Sequence, residues 1–247
     1  MEQAQKFPTE IVDLPSKGKL YSKESPLSSG TIEMKYMTAK EEDILTNQNF
    51  IERGVVIDKL LKALIVDKSI DYNELLVGDK NALLIAARIL GYGKDYEFNY
   101  AGEAEMIDLS LLENKPLNKE IEEASENTFN YTLPTSGTVI TFKLLNHGDE
   151  QMVDAEVKGL KKINKESSAE LSTRLKHMII AVNGDSEKKD VRSFVDNLFL
   201  ARDSRAFRNY LRDFQPDVDM KFYPENGPEG GMDIPIGVNF LWPDANL

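Results

Sequence analysis

Apolar residues recur at two distinct periods along this chain. Between 51 and 66 they fall at Ile57, Leu60, Leu61, Leu64 and Ile65, the i, i+3, i+4, i+7, i+8 spacing of one helix face. The stretch 77–93, VGDKNALLIAARILGYG, is broken after Asp79 only by Lys80, Asn81 and Arg88, and so predicts a helix enclosed by others. It is the element on which the rest should pack. Asp79 reads as its N-cap, and Gly91 as the left-handed residue that ends it. Upstream, Ile32, Met34 and Tyr36 alternate with Glu33 and Lys35, the period of a half-buried strand, and Thr38-Ala39-Lys40-Glu41 has the spacing of a capping box. Residues 7–30 are rich in Pro, Gly and Ser but carry Ile11, Val12, Leu14, Leu20 and Tyr21, which predict an ordered arm lying along its own domain. In the connector 67–78, Ile70, Leu75, Leu76 and Val77 should point inward.

Beyond 93 the pattern changes. Phe98, Tyr100, Phe129, Tyr131, Val139, Ile140 and Phe142 enrich 94–146 in strand formers, with turn chemistry at 133–138 and an acidic loop or short helix at 113–127. Helical spacing returns over 149–215. One stripe is Met152, Val153, Val157 and Leu160; a second, opened by Ser167-Ser168-Ala169-Glu170, runs Leu171, Leu175, Met178, Ile179 and Val182 and stops at Asn183-Gly184. Val191, Phe194, Val195, Leu198 and Phe199 form a third face, and Phe207, Tyr210, Leu211 and Phe214 a fourth that Pro216 terminates. In the tail, Ile234, Ile236, Val238, Phe240 and Trp242 alternate as a final strand, which Pro235 restricts to an edge. The expected class is α+β, mainly helical, with a small β unit formed by the middle segment and the C-terminus. Its expected parts are 1–93 (arm, strand and helical core), 94–146 (β-rich unit), 147–216 (helical region) and 217–247 (turn-rich strand packing on the β unit).

Composition narrows the chemistry. With 41% hydrophobic residues the chain can bury a core, but no apolar run approaches the ~20 residues of a bilayer span, and the start MEQAQKF has no signal-peptide core. No membrane partner is expected. The absence of Cys removes disulfides, thiol nucleophiles and thiolate metal sites, and leaves His147 and His177 as the only imidazole ligands for zinc. A formal net charge of −12 opposes a nucleic-acid phosphate backbone, so proteins are the expected partners. No Gly-x-Ser-x-Gly elbow, Walker loop or His-Glu-x-x-His is present, and Gly91-Tyr92-Gly93-Lys94 follows a helix rather than a strand, which argues against a phosphate loop. Neither an enzyme nor a cofactor is expected; a hydrolase would need two of the many carboxylates brought together in a cleft.

Two features could serve partners. Arg205, Arg208 and Arg212 lie at i, i+3 and i+7, with Arg202 just before them, and form the one basic stripe of the chain. It reads either as a grip on an acidic partner or, the favoured expectation, as a solvated face paired with Asp203 and Asp213. Trp242, the single tryptophan, reads as an anchor for the C-terminus or as an interface residue.

Three motifs carry a resemblance: Leu14-Pro15-Ser16-Lys17-Gly18-Lys19-Leu20-Tyr21; the run 78–88, GDKNALLIAAR, ending in Tyr92-Gly93; and Ile234-Pro235-Ile236 followed by Phe240-Leu241-Trp242-Pro243. In this order, and over nearly the whole chain, the sequence resembles the baseplate hub protein family of T-even-type contractile-tailed phages. The resemblance implies a non-enzymatic structural or assembly component of a phage tail baseplate hub, contacting other tail and baseplate hub proteins and made in the host bacterial cytoplasm. A tail-assembly chaperone absent from the mature virion is the alternative, and a carboxylate-based cell-wall hydrolase a more distant one. The resembled family carries zinc-knuckle Cys pairs in the middle segment and near the C-terminus. Here the latter position reads Tyr223-Pro224-Glu225-Asn226-Gly227, so its turn should be held by packing of Phe222 and Tyr223 rather than by metal. The expected contact residues are Leu14, Tyr21, Phe240 and Trp242 at the two ends, with Arg205, Arg208 and Arg212.

Overall fold

The structure, a computed structural model, describes residues 8–163, 169–223 and 230–242. Strand β1 (Thr9–Asp13) pairs antiparallel with β2 (Thr31–Lys35), Ile11 opposite Glu33, so the arm does lie along its own domain. Ile32 and Met34 of β2 point into the core, as their alternation requires. Tyr36 does not: β2 ends at Lys35, and the Tyr36 hydroxyl turns out to donate to Glu10. Helix α1 (Ala39–Leu45) opens with the expected capping box, Glu41 Oε2 accepting from the Thr38 N–H at 3.1 Å. After the short α2 (Gln48–Glu52), α3 (Val56–Leu64) buries Leu60, Leu61 and Leu64 on one face, and α4 (Val77–Tyr92) runs through the centre of the first core.

Both predicted ends of α4 are corrected. Leu76 is the N-cap, which leaves Asp79 inside the first turn; Gly91 stays helical, and the chain turns at Gly93, φ +84°. Met37 packs where a Gly91 Cβ would sit, so that glycine serves close packing instead of termination. Arg88, which interrupts the apolar pattern, folds back over the helix end and donates to the carbonyls of Gly93 (2.7 Å) and Asp95 (2.9 Å).

The strands of the middle segment are shared between two sheets. β3 (Asp95–Tyr100) and β4 (Glu103–Asp108) form a hairpin on the first core, while β5 (Phe129–Thr132), reached through the short α5 (Lys119–Glu123), pairs with β6 (Val139–Phe142) in the second. Helices α6 (His147–Ile163) and α7 (Glu170–Met178) follow; the predicted cap at 167–168 lies outside the described residues. The second stripe does not continue as a helix to Val182. Ile179–Val182 is instead β7, the third strand beside β6, where β-branched side chains fit the sheet and β6 offers an open edge. Helices α8 (Lys188–Asn197) and α9 (Ala201–Phe214) close this core with Phe194, Phe207, Leu211 and Phe214. Met152, Leu171 and Leu198, assigned to apolar faces by spacing, are exposed at the ends of their stripes.

The tail returns to the first core. β8 (Lys221–Phe222) pairs with β9 (Met232–Asp233), and the Phe222 ring meets Phe98 edge-on at 4.9 Å. The predicted strand stops at Asp233: Pro235 has no N–H to continue a ladder, and Val238–Phe240 makes a single 3-10 turn with Phe240 N–H on Gly237 O. Phe240 lands edge-on against Tyr96, and the Trp242 indole N–H donates to Leu45 O at 3.0 Å. The knuckle-like turn after Tyr223 lies outside the described residues; Tyr223 itself is exposed.

The two cores meet along one seam. Val77 N–H donates to Leu145 O and His147 N–H to Leu75 O, so backbone bonds fasten the crossing. Gly78 sits at its tightest point, where a Cβ would fall 1.8 Å from Pro216 O. Gly78→Ala must therefore push the backbone of 216–217 off α4. It should cost about 1–3 kcal/mol in urea unfolding, whereas Gly159→Ala, on an open helix surface with nothing within 4 Å, should not destabilise the chain.

Candidate functional site

A buried polar cluster holds the arm against the start of α4. Asp79 is fully buried, and among the described residues it has no ion-pair partner. Its Oδ1 accepts from Ser16 N–H at 2.9 Å, and its Oδ2 from Ser16 Oγ and the Tyr21 hydroxyl, each at 2.6 Å. The Tyr21 oxygen in turn accepts the Leu76 N–H at 2.9 Å, one of the orphan donors at the start of α4. The carboxylate is thus satisfied by the arm and by the positive end of the helix dipole. Burial nevertheless outweighs these donors and pushes Asp79 above the ordinary carboxylate range, while burial and the adjacent Asp79 push the Tyr21 phenol up. Among the described residues the Ser16 and Tyr21 hydroxyls donate to Asp79 alone, so the cluster ties the arm to α4 as a lock.

A second polar cluster lies on the seam. Asp58 accepts from Lys80 Nζ at 2.6 Å and from the Tyr72 hydroxyl at 3.1 Å, and His147 sits edge-on to the Tyr72 ring with its Nδ1 3.3 Å from Lys80 Nζ. Its Nε2 lies 3.0 Å from the Gln151 side-chain amide and 3.5 Å from Asp58 Oδ2, so both ring nitrogens have polar neighbours. Burial and then Lys80 hold the imidazole below its ordinary pKa, against the pull of Asp58. Among the described residues, no group of three or more His, Asp or Glu side chains is placed to hold a metal ion.

The surface features are of a different kind. On α9, Arg202, Arg205, Arg208 and Arg212 all point to solvent, along roughly 15 Å of helix axis. The expected pairing with Asp203 is not made. Asp203 faces inward and accepts from the Thr135 and Ser136 N–H groups at 2.7 and 3.0 Å, holding the β5–β6 turn; burial acts to raise its pKa, and these donors outweigh it and hold it low. Arg208 reaches only its own helix carbonyl at Ser204, and Arg212 only Asn209. Among the described residues none of the four arginines, nor Asp213, forms an ion pair. Leu198 (65% exposed) and Leu200 (47%) stand just before the helix.

A groove of about 470 Å³ runs on the first core between β1 and the outer face of α4. Its rim includes Glu10 and Asp13, and Ile11 beside it is 71% exposed.

The expected contact residues divide accordingly. Leu14 and Phe240, each 1% exposed, are core residues and present no surface, and Tyr21 is half-buried, with its hydroxyl engaged by Asp79 between the two cores. Their side chains are consumed internally because the arm and tail close the first core. Trp242 is half-buried and tied to Leu45; Arg205, Arg208 and Arg212 are exposed. Sequence reading missed Ser16, Asp58 and the exposed edge at Ile11. The Ser16–Asp79 pair is separated by more than sixty residues, and no local spacing announces it. Comparison with family models, with curated proteins and with solved structures returns no match.

Tyr21→Phe strands the Leu76 N–H in a buried site and leaves Asp79 Oδ2 with Ser16 Oγ as its single donor. It should cost about 1–3 kcal/mol by urea unfolding, and a loss below about 0.5 kcal/mol would show that water fills the gap. The seam imidazole sets a pH dependence. Because the native state holds His147 below the unfolded value of about 6.5, the unfolded chain binds the extra proton, and stability falls as pH drops from about 6.5 toward 5. Asp79 acts with the opposite sign, losing stability as pH rises above about 4. Between pH 7 and 5 the two groups therefore oppose each other, and the imidazole contribution is read as a difference: from pH 7 to 6 to 5 the melting temperature of the wild type should fall relative to that of His147→Gln.

Proposed function

We propose that this chain is a non-enzymatic structural or assembly component of a phage tail baseplate hub, acting through contacts with other tail and baseplate hub proteins in the host bacterial cytoplasm. The observation that carries the reading is the unneutralised arginine face of α9 on a chain of net charge −12. Isolated surface cations in an acidic protein ordinarily find a local carboxylate; here Asp203 is withdrawn into the core and the four arginines are left for an acidic partner, with exposed Leu198 and Leu200 to supply apolar contact. The motifs behind the family resemblance add support, because they are the parts that close the first core: the arm motif grips Asp79 of the second motif, and the tail motif packs on Tyr96 and Leu45. A chain relying on these motifs for its fold leaves its other surfaces to partners.

The test is recovery of partners from infected cells with a tagged chain, washed at moderate salt, followed by mass spectrometry. Hub and baseplate subunits are expected with the wild type. Arg205→Glu, Arg208→Glu and Arg212→Glu together should cut that recovery at least tenfold while leaving the melting temperature nearly unchanged, since all three side chains are exposed. Equal recovery by the triple variant would remove the α9 face from the assembly role, and recovery of no tail protein by the wild type would sink the baseplate reading. Detection of the chain in purified virions marks a structural subunit; its absence there, with partners recovered from cells, marks an assembly chaperone.

A further inference from the structure

We propose that the open edge of β1 and the groove beside it receive an extended segment of another protein, added as a third strand to the β1–β2 sheet, with apolar side chains directed into the groove alternating with basic ones on the opposite face. The register fixes which groups are free. Tyr36 N–H donates to Pro8 O and Leu14 N–H to Gly30 O at the two ends of the pairing, so the even-numbered residues of β1 form the ladder with β2. The backbone N–H and C=O groups of Thr9, Ile11 and Asp13 face the other way, and among the described residues nothing bonds to them. The far edge of β2 is already covered by Ile65 and Val66. Edge strands are normally blunted by charge, Pro or a bulge; TEIVD has no Pro, Lys or bulge, its charges are the carboxylates of Glu10 and Asp13, which repel acidic strands and admit basic ones, and Ile11 is exposed.

The groove supplies what an added strand needs on its side-chain face. Ile85, Ala86 and Ile89 of α4, with Leu112, line it, and among the described residues its charged lining is Glu10 and Asp13. A five-residue edge, about 17 Å long, matches a short extended segment whose alternate side chains enter the groove. The charge decides the occupant. A second copy of the chain would set one acidic edge against another, between molecules that each carry −12; Glu10 stands on the groove face beside Val12 and Asp13 on the opposite face beside Ile11, so a segment with apolar residues toward the groove and basic residues on the other face meets Asp13 there, while Glu10 lies at the mouth of the groove. This inference stands apart from the baseplate reading, since it rests on the edge and the groove alone.

The probe is a synthetic peptide of alternating Lys and Val, compared with a peptide of the same composition in two blocks and with an alternating peptide N-methylated at every second amide. Binding is measured by titration, and the backbone amides by hydrogen exchange. Saturating alternating peptide should slow exchange of the Ile11 and Asp13 amides at least tenfold, and both control peptides should bind at least tenfold more weakly. Ile11→Pro removes the outward N–H without touching the ladder to β2, and Ala86→Leu fills the groove from a different element; each should weaken binding at least tenfold. Failure to bind, binding without protection of these two amides, or equal binding of the block peptide would overturn the proposal. So would protection already present in the free chain together with a concentration-dependent dimer, which would assign the edge to a second copy.

Discussion

A buried carboxylate with no ion-pair partner among the described residues organises the first half of this protein. Asp79 sits in the opening turn of α4, where the helix dipole favours a negative charge but desolvation opposes it, and only the arm can supply the missing donors. Once Ser16 and Tyr21 are in place, Leu14 is carried into the core, β1 is aligned on β2, and the Tyr21 oxygen caps the Leu76 N–H. Unmaking any of these bonds would leave a polar group stranded in an apolar surround. A segment whose composition suggests a tether is thereby made part of the core.

The seam between the two cores depends on the same neighbourhood. Leu75 belongs to one core and Leu76 to the other, and the backbone between them is fastened to 145–147 on one side while Gly78 presses on Pro216 on the other. Close backbone approach of this kind tolerates no Cβ, and it couples the start of α4 to the second core without needing a large apolar interface. The His147, Tyr72, Lys80 and Asp58 cluster fills the polar margin of the seam.

The surface is electrostatically divided. Carboxylates dominate the chain, yet among the described residues the arginines of α9 form no ion pair; Asp203 holds the β5–β6 turn, and Asp213 stands exposed without one. The β1 edge is its counterpart, with acidic side chains at the rim and free backbone groups. One surface suits acidic partners and the other basic, extended ones. A protein with both can join unlike neighbours, which is what an assembly component in the proposed baseplate setting would do.

Local pattern alone determined the α+β class, the amphipathic α3, the capping box at Thr38 and Glu41, and the aromatic face of α9, because each follows from side-chain period and capping chemistry within a few residues. The tertiary structure decided the rest. Ile179–Val182 continues a helical stripe in sequence but becomes a strand because β6 presents an unpaired edge; the alternating tail becomes a turn because Pro235 ends its ladder and Tyr96 receives Phe240. Asp79 has the residue type and position of a cap, but its role is set by donors sixty residues away. Arg205, Arg208 and Arg212 were legible as a stripe, whereas their lack of a partner was not, since spacing shows which residues share a face and only packing shows where a neighbouring Asp203 turns. Periodicity records how much of each residue is buried; which backbone edge or polar group meets it is a property of the assembled chain.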